Sequence, residues 1–284
     1  MLIQLKLDNT DLYKKIRKAM EILEKYKNWN YKYVFFSGGK DSLVALDLTS
    51  KVWKNFTIVY VEVTGNTHPE CTKYVYKIVN EYNADFVHVK TEKYEFFECL
   101  KKWGYPSLLW SHSNRWCLTH FKDEPIVTLT KGRGVGVSGV SPYNSVRRHF
   151  ILRHARPILL APRRSKWQWT YYSLLPLFYF DKNDIWQYIL ENNLPLNPLY
   201  RYIGSSGNCV ICPAMRKEQL LAIKRECFEF FCKWKKAHEK LRRDFAEGKL
   251  KGMRVVFNRF NKWYEFYRNV ACKTSPFKAM IHKQ

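Results

Sequence analysis

Acidic residues are scarce in this chain, and the shortage is greatest in its middle. The sequence holds 49 lysines and arginines against 25 aspartates and glutamates, a formal net charge of +24. No acidic residue occurs between Glu124 and Asp181, although nine basic residues do. A solvated basic face normally carries carboxylates for balance, so their absence favours an anionic partner: nucleotide phosphates, nucleic acid, or both.

Long apolar runs and a secretory leader pattern are also lacking. No apolar run reaches the roughly 18 residues that span a bilayer, which predicts a soluble protein. Eight cysteines are scattered through a long chain without a secretory signal pattern, so a disulfide framework is not expected. The pattern indicates a reducing, cytoplasmic setting with metal-binding or catalytic thiols. Aromatic residues make up 17% of the chain, which excludes a disordered protein.

Alternating strand and helix patterns predict an α/β fold. Apolar residues at helical spacing predict an N-terminal helix over 11–28, within a segment 1–30. Strand and helix patterns then alternate. They are a strand at Tyr33–Phe36, a helix pattern of Leu43, Val44, Leu46 and Leu48, a strand at Phe56–Val63, a helix at Cys71–Tyr82 and a strand at Asp85–Val89. This order predicts a parallel sheet covered by helices on both faces.

The rest of the chain divides into a less regular middle and a helical end. Strands are predicted at Val135–Val140 and Pro176–Phe180, and a helix at Ile185–Glu191 capped by Asp181 or Asn183. Leu194–Tyr200 is predicted to be extended, because each proline disfavours helix in the residue before it. Residues 31–215 are therefore the main domain, and 216–284 a helical C-terminal appendage.

The most informative motif is Ser37-Gly38-Gly39-Lys40-Asp41-Ser42, between a strand pattern and a helix pattern. Glycines let backbone N–H groups approach an anion, and the following helix N-terminus favours negative charge. Asp41 or Ser42 is the expected helix cap. The spacing is not that of a Walker A loop. A Gly-Gly surface turn is the simpler alternative, but the flanking strand and helix favour a phosphate loop.

The cysteines offer a second candidate site. Cys209-Val210-Ile211-Cys212-Pro213 is a CxxC motif in a turn-forming segment, with spacing that suits one metal ion or one cluster. Cys117 is the expected third ligand. A redox dithiol is the alternative.

A third candidate is the basic stretch 131–172. Its arginines suit phosphate binding, and the aromatic residues at its end could stack on bases. The stretch therefore predicts binding of a polyanion, with tRNA or DNA as one possibility. The aromatic residues are Trp167, Trp169, Tyr171 and Tyr172.

The order of motifs resembles the phosphoadenosine phosphosulfate (PAPS) reductase family, in the PP-loop superfamily. The matching segments are Ser37–Ser42, Thr64–Glu70, Arg115–Cys117 with Lys122, Arg147–Arg148, Pro176–Trp186, Leu194–Tyr200 and Cys209–Pro213. The resemblance implies a Rossmann-like adenine nucleotide alpha-hydrolase fold. It also implies nucleotide-binding residues, namely Ser37, Gly38, Gly39, Lys40, Asp41, Ser42, Thr64, Gly65, Lys122, Arg147 and Arg148.

The resemblance further implies a cluster and a catalytic set. It places an iron–sulfur cluster, or alternatively zinc, on Cys117, Cys209 and Cys212. Lys40 and Asp41 are the expected catalytic residues of the loop, with Mg²⁺ if ATP is the substrate. Cys272 is a further catalytic candidate from its distance to the end of the chain, although the family's C-terminal "ECGLH" motif is absent.

Three functions are compatible with these features. The first is reduction of phosphoadenylyl or adenylyl sulfate, with electrons from a thiol or ferredoxin-type donor. The second is an ATP-dependent, pyrophosphate-releasing sulfurtransferase that thiolates tRNA or DNA, favoured by the intact loop and the charge of +24. The third is a non-enzymatic nucleotide- or nucleic-acid-binding regulator. Reduction is placed first on motif order.

Overall fold

Six strands form one sheet in the part of the chain that the structure, a computed structural model, describes: residues 2–107, 115–152, 154–160 and 172–272. The strands are β1 Lys32–Phe35, β2 Thr57–Glu62, β3 Asp85–Lys90, β4 Val135–Val137, β5 Ile158–Leu160 and β6 Tyr172–Leu174. Their order across the sheet is β3-β2-β1-β4-β6-β5. All neighbours pair in parallel except β5 and β6, which are antiparallel.

The centre of the sheet is apolar on both faces. Val34 of β1 lies opposite Ile58 of β2 and Val137 of β4, and all three side chains are fully buried. Successive side chains of a strand point to opposite faces, so a strand that is buried at every position needs cover on both. β4 is buried throughout. The predicted Rossmann-like α/β fold is confirmed.

The helices connect the strands and continue beyond the sheet. They are α1 Leu2–Glu24, α2 Lys40–Val52, α3 Pro69–Val79, α4 Phe96–Trp103, α5 Trp116–Leu118, α6 Glu124–Thr130, α7 Val146–Leu152, α8 Lys182–Glu191, α9 Leu199–Ile203, α10 Lys217–Glu226, α11 Phe228–Ala246 and α12 Arg254–Glu265. A π-helical turn, Thr119–Asp123, joins α5 to α6. None of the helices described is both long and apolar enough to cross a membrane.

Two local predictions were wrong. Pro176–Phe180 is a turn rather than a strand, closed by bonds from the Phe178 and Phe180 N–H groups to the Leu175 and Leu177 carbonyls. The strand lies just before it, because Pro176 has no N–H to donate to a sheet. The extended segment from Leu194 ends at Asn197, whose side chain accepts a bond from the Leu199 N–H as α9 begins.

The C-terminal helices pack into the same core as the sheet domain. The Trp234 Nε1–H of α11 donates to the Tyr105 hydroxyl, 2.9 Å away, and that hydroxyl lies 2.9 Å from His238 Nδ1. Tyr105 also stacks on Phe260 of α12, with ring centroids 4.7 Å apart. One continuous cluster of buried apolar residues includes both regions. The helical C-terminal region is therefore integrated with the main domain.

The sequence did not predict a disulfide, yet one is present. Cys232 of α11 is bonded to Cys272, with 5.6 Å between their Cα atoms. The other six cysteines are free. The bond closes a loop of 40 residues that contains α12, so it ties the segment after α12 to α11.

We expect the stability of the fold to rise between pH 4 and pH 6.5. Burial lowers the pKa of His238 from 6.5 to about 4. The unfolded chain therefore binds a proton in this range that the folded chain does not, which costs up to roughly 3 kcal/mol of stability at the acid end. Thermal or urea unfolding of the wild-type protein and of a His238→Gln variant across this range measures the effect.

The Gln variant is the matched control, because its amide oxygen can still accept from Tyr105 but does not titrate. We expect it to be less stable at pH 7 and to show a flatter pH dependence. Equal slopes for the two proteins would show that His238 is not the group responsible.

Candidate active site

The loop at residues 37–42 lies where the strand order changes direction. It follows β1, whose neighbours are β2 on one side and β4 on the other. Ligands of open α/β sheets bind beyond the carboxyl ends of the strands at this switch point. Gly38 has φ +71, and a Cβ there would lie 3.0 Å from the Cys71 sulfur. The loop therefore needs glycine at this position for both conformation and space.

The N-terminus of α2 is left without a capping side chain. Gly39 is the N-cap residue, so the prediction that Asp41 or Ser42 caps the helix was wrong. The Ser42 hydroxyl instead donates to the Gly39 carbonyl and accepts from the Ser37 N–H, at 2.8 and 3.2 Å. The Lys40 N–H donates to the Tyr200 hydroxyl at 3.1 Å. Such a helix end favours an anion, through its N–H groups and its dipole.

Asp41 is held by residues from two directions. Lys40 Nζ lies 3.0 and 3.1 Å from its two carboxylate oxygens, and Asn144 Nδ2 donates to Oδ1 at 3.0 Å. Asn144 Oδ1 in turn accepts from Arg148 Nη1 at 2.6 Å and from the Ser141 N–H at 2.7 Å. Asn144 therefore links Arg148, one of the predicted phosphate-binding arginines, to the loop.

Gly139, which follows β4, allows the chain after this strand to lie directly against the backbone of the loop. A Cβ at this position would lie 2.6 Å from the Asp41 carbonyl carbon and oxygen and 2.7 Å from the Ser42 nitrogen. These are backbone atoms at the start of α2, so they cannot move aside as a flexible side chain would. Gly139 is thus required for the contact between the β4 end and the loop.

The CxxC turn is fastened to the segment after β2 by Asn66. The Asn66 side chain is fully buried; it donates to the Ile211 carbonyl and accepts from the Ile211 N–H, both at 2.9 Å. The Asn66 carbonyl also accepts from the Val210 N–H at 2.9 Å. Beside it, Thr67 donates to the Asn208 carbonyl at 2.9 Å. These bonds fix the turn against the same sheet edge as the loop.

A second buried asparagine joins the loop to the turn directly. Asn197 Nδ2 lies 3.0 Å from both the Gly38 carbonyl and the Ser206 carbonyl. One cavity of about 330 Å³ results, lined by the loop residue Ser37, by Lys122, and by both cysteines of the CxxC motif, Cys209 and Cys212. The first residue of the 37–42 loop and the two thiols of the CxxC motif thus line one cavity.

Burial and positive charge act in opposite directions on the thiols. The pKa of Cys117 is raised to about 12. Burial is the largest cause, and the neighbouring Cys209 and Cys212 act in the same direction, whereas Arg115 and Lys122 act to lower it. Burial and the neighbouring Cys209 likewise raise the pKa of Cys212. The Cys209 thiolate is the largest cause of a raised pKa at Lys122, followed by burial in the opposite direction. Lys122 is therefore the cation that would stabilise a thiolate here.

The arrangement of the thiols does not provide a ready metal site. No group of three or more His, Cys, Asp or Glu side chains that could hold a metal ion is found in the described ranges. A cluster of the usual kind needs four thiolates, and the sequence offers three cysteines at these positions. The three cysteines do not fit an iron–sulfur cluster or zinc as they stand, and either group remains a prediction.

The remaining predicted residues are dispersed. Thr64 and Gly65 follow β2, with the Thr64 hydroxyl donating to the Thr91 carbonyl at 2.7 Å. The side chain of Arg147, and residues 161–171 of the basic stretch, lie outside the described part. Cys272 is bonded to Cys232 and is not among the residues lining the cavity.

Sequence reasoning missed the residues that hold the site together. They are Asn66, Gly139, Asn144, Asn197 and Tyr200. Asn66, Asn197 and Tyr200 stand inside quoted motifs, but nothing local showed that their side chains bind other loops. An asparagine inside a motif is the one signal that could have drawn attention to them.

Comparison with known proteins places these features in a family. The family model "Phosphoadenosine phosphosulfate reductase domain" matches residues 31–215. An uncharacterised protein of Methanocaldococcus jannaschii is 30% identical over 75% of this chain and 42% of its own length, and a second is 29% identical over 80% and 53%. The chain thus spans about half the length of these two relatives.

A named relative and a solved structure are less similar to this chain than these two proteins. Adenosine 5'-phosphosulfate reductase 2 of Bacillus subtilis is 26% identical, over 66% of this chain and 75% of its own. A crystal structure of the phosphoadenylyl-sulfate reductase of Candida auris, in a phosphate complex, is 22% identical with a TM-score of 0.44. That match covers 64% of this chain and 83% of that one.

We expect a Gly139→Ala variant to bind adenosine monophosphate more weakly. The added methyl group must push the start of α2 away from β4. Overpacking of this kind costs about 1–3 kcal/mol of stability, and about 1.4 kcal/mol lost from binding would lower the affinity roughly tenfold. Isothermal titration calorimetry with the wild-type protein and the variant provides the comparison.

Gly248→Ala is the control, since nothing lies within 4 Å of its Cβ position, although its own φ is positive, +69. It should lose some stability and keep its affinity. An affinity for Gly139→Ala within twofold of the wild type would contradict the role of this contact.

Proposed function

Because the chain belongs to the phosphoadenosine phosphosulfate reductase domain family, we propose that it reduces adenylyl sulfate or phosphoadenylyl sulfate. The nucleotide would bind at the 37–42 loop, and two thiols would supply the electrons. The observation that supports this is the cavity shared by Ser37, Lys122, Cys209 and Cys212. A nucleotide phosphate at the loop would bring an attached sulfonyl group into a cavity that contains thiols.

The loop would bind the phosphate through its backbone and through Lys40. The uncapped first turn of α2 offers N–H groups and the positive end of the helix dipole. Lys40 adds a positive charge that its bond to Asp41 keeps in place. Arg148 is linked to Asp41 by two hydrogen bonds, through Asn144. These groups would fix the adenylyl end of the substrate.

The redox step would use both cysteines of the CxxC turn. One thiolate attacks the sulfonyl sulfur, the sulfur–oxygen bond to the phosphate breaks, and the nucleotide leaves with the electron pair. The second thiolate attacks the cysteine Sγ of the resulting S-sulfocysteine, so that the bond from Sγ to the sulfonate breaks, sulfite leaves with the electron pair, and a Cys209–Cys212 disulfide forms. The two thiols lose two electrons, and an external dithiol restores them by exchange.

Lys122 would favour this chemistry by stabilising the thiolate. Its ammonium group interacts with all three neighbouring thiols, Cys209 most strongly. A positive charge near a thiol lowers the pKa and raises the fraction of reactive thiolate. It also attracts the negatively charged sulfonyl group into the cavity. Lys122 thus has a role in both binding and activation.

We expect the wild-type protein to release sulfite from adenylyl sulfate or PAPS when dithiothreitol is present. Cys209→Ser and Cys212→Ser should each lower the rate by roughly 10²-fold or more, since serine cannot replace the thiol as nucleophile or as electron donor. A sulfite assay under anaerobic conditions, with each nucleotide in turn, measures this.

Cys272→Ser distinguishes between the two candidate thiol sites. Cys272 is bonded to Cys232, so the proposed mechanism in the cavity predicts a rate of sulfite release close to that of the wild type for this variant. Loss of sulfite release in Cys272→Ser, together with normal rates in the two cavity variants, would show that the nucleophile is Cys272 instead. No sulfite from the wild-type protein with either nucleotide would refute the reduction.

A second candidate function is ATP-dependent sulfur transfer to tRNA or DNA. The observation that favours it is the complete loop, in which Lys40 Nζ is bonded to the Asp41 carboxylate at the N-terminus of α2. Asp41 is the carboxylate that would hold the Mg²⁺ of bound ATP together with phosphate oxygens. The net charge of +24 suits a nucleic acid partner.

For this candidate, we expect pyrophosphate release from ATP in the presence of a sulfide donor and tRNA or DNA. Lys40→Ala should lower that rate by roughly 10²-fold, because it removes the charge beside the transferred phosphate. Nucleic acid binding should weaken as salt is raised, in wild type and variant alike. A pyrophosphate assay and a binding titration at several salt concentrations measure both quantities.

The outcomes separate three functions. Pyrophosphate without sulfite would favour sulfur transfer, and sulfite without pyrophosphate would favour reduction. Nucleic acid binding that is retained in Lys40→Ala, with no turnover by either assay in the wild type, would indicate a regulator.

A further inference from the structure

The C-terminal helices form part of the cavity that holds the thiols. Gln219 and Ile223 of α10 line it, together with Ser37 and the two cysteines of the turn. Both helix residues lie beyond 31–215, the part of the chain that the family model matches. The wall they form is therefore a feature of this chain rather than of the matched domain.

Arg259 of α12 reaches the same turn from further along the chain. Its Nη2 group donates a hydrogen bond to the carbonyl of Pro213, the residue that follows Cys212. Burial lowers the pKa of Arg259, and the neighbouring Cys212 acts to raise it. This is a contact between residues 46 positions apart, made only because α12 packs beside the turn.

The position of Arg259 is set by the packing of α12. Val256, Phe257, Phe260 and Tyr264 bury one face of this helix in the core. The Arg259 guanidinium lies over the Phe260 and Trp263 rings, at 5.4 and 5.3 Å from their centroids. Its Nε atom is buried without a hydrogen-bond partner, which is a cost in free energy.

Arg259 adds an attachment on the far side of Cys212 from Asn66. Asn66 binds Ile211 within the CxxC motif, and Arg259 binds Pro213 directly after it. Proline has no N–H to donate, so the carbonyl is the backbone group of Pro213 that can accept a bond from α12. Cys212 lies between the two attachments.

We propose that Arg259 is a positioning residue that holds the end of the CxxC turn and so places Cys212 in the cavity. This inference rests on the proposed sulfur chemistry for its catalytic consequence. Its structural part, that Arg259 restrains the turn, can be tested without any substrate.

The experiment compares Arg259→Met and Arg259→Lys with the wild-type full chain. Methionine keeps much of the apolar contact and removes every donor, whereas lysine keeps a positive charge and one donor to the Pro213 carbonyl. Arg254→Met is the matched control, because Arg254 is an exposed arginine of the same helix that lies over Phe245, 5.2 Å from the ring centroid.

The first measurement is hydrogen–deuterium exchange of peptides covering 208–216. Two N–H groups of this segment, those of Ile211 and Met215, are hydrogen-bonded, so their exchange reports on its opening. We expect exchange to be about tenfold faster in Arg259→Met, the change that corresponds to losing one hydrogen bond to a charged donor. Arg259→Lys should be intermediate, and Arg254→Met should match the wild type. Exchange in β2 should stay the same in all four proteins.

The second measurement separates kcat from KM in the sulfite assay. A misplaced thiol should lower kcat about tenfold while KM for adenylyl sulfate stays within twofold, because the nucleotide binds at the loop. Arg259→Lys should recover part of kcat.

The two measurements fail in distinguishable ways. Unchanged exchange at 208–216 in Arg259→Met would overturn the proposal, and so would faster exchange with a normal kcat. A wild-type protein that makes no sulfite would instead refute the proposed function, and the exchange data would then decide alone whether Arg259 restrains the turn.

Discussion

The paired hydrogen bonds between Asn66 and Ile211 are the interaction on which the site depends. They join the segment after β2 to a turn 145 residues later, and both groups are fully enclosed. A buried amide must find its partners within the protein, so this pairing strongly favours one arrangement of the two segments. Without it, the thiols of the turn would have no fixed distance from the loop at residues 37–42. Asn197 adds a second link, between the loop and Ser206.

The cavity combines two kinds of binding surface that have different physical origins. The loop side is built from backbone. It consists of a glycine at positive φ and a helix end whose N-cap residue has no capping side chain, and Gly139 leaves room for the start of α2 beside the end of β4. The thiol side is built from side chains, and here burial and the neighbouring positive charges have opposite effects on the pKa of a thiol. Burial favours neutral thiols, while Lys122 and Arg115 favour thiolates. An anionic substrate that enters such a site meets positive charge on both sides.

The C-terminal helices pack against the main domain instead of standing apart from it. Their apolar faces share one core with the sheet domain, and Tyr105 connects the two through Trp234 and His238. Residues of α10 and α12 then reach the cavity and the CxxC turn. A segment that appeared from sequence to be an appendage is a wall of the site. The packing of this segment against the core places its residues at the cavity and the CxxC turn.

The sequence by itself determined the local parts of this protein. The strand, glycine loop and helix around Lys40 stand within about twenty residues, and their patterns of apolar residues and glycines are set by short-range sterics and burial. The alternation of strands and helices determined the α/β class in the same way. Only the tertiary structure decided which asparagines tie the loops together, that Cys272 pairs with Cys232, and that Arg259 reaches Pro213. These contacts join residues from 40 to 159 positions apart. Such pairings leave no periodic signal in the sequence, because they arise only when the packed core brings the segments together.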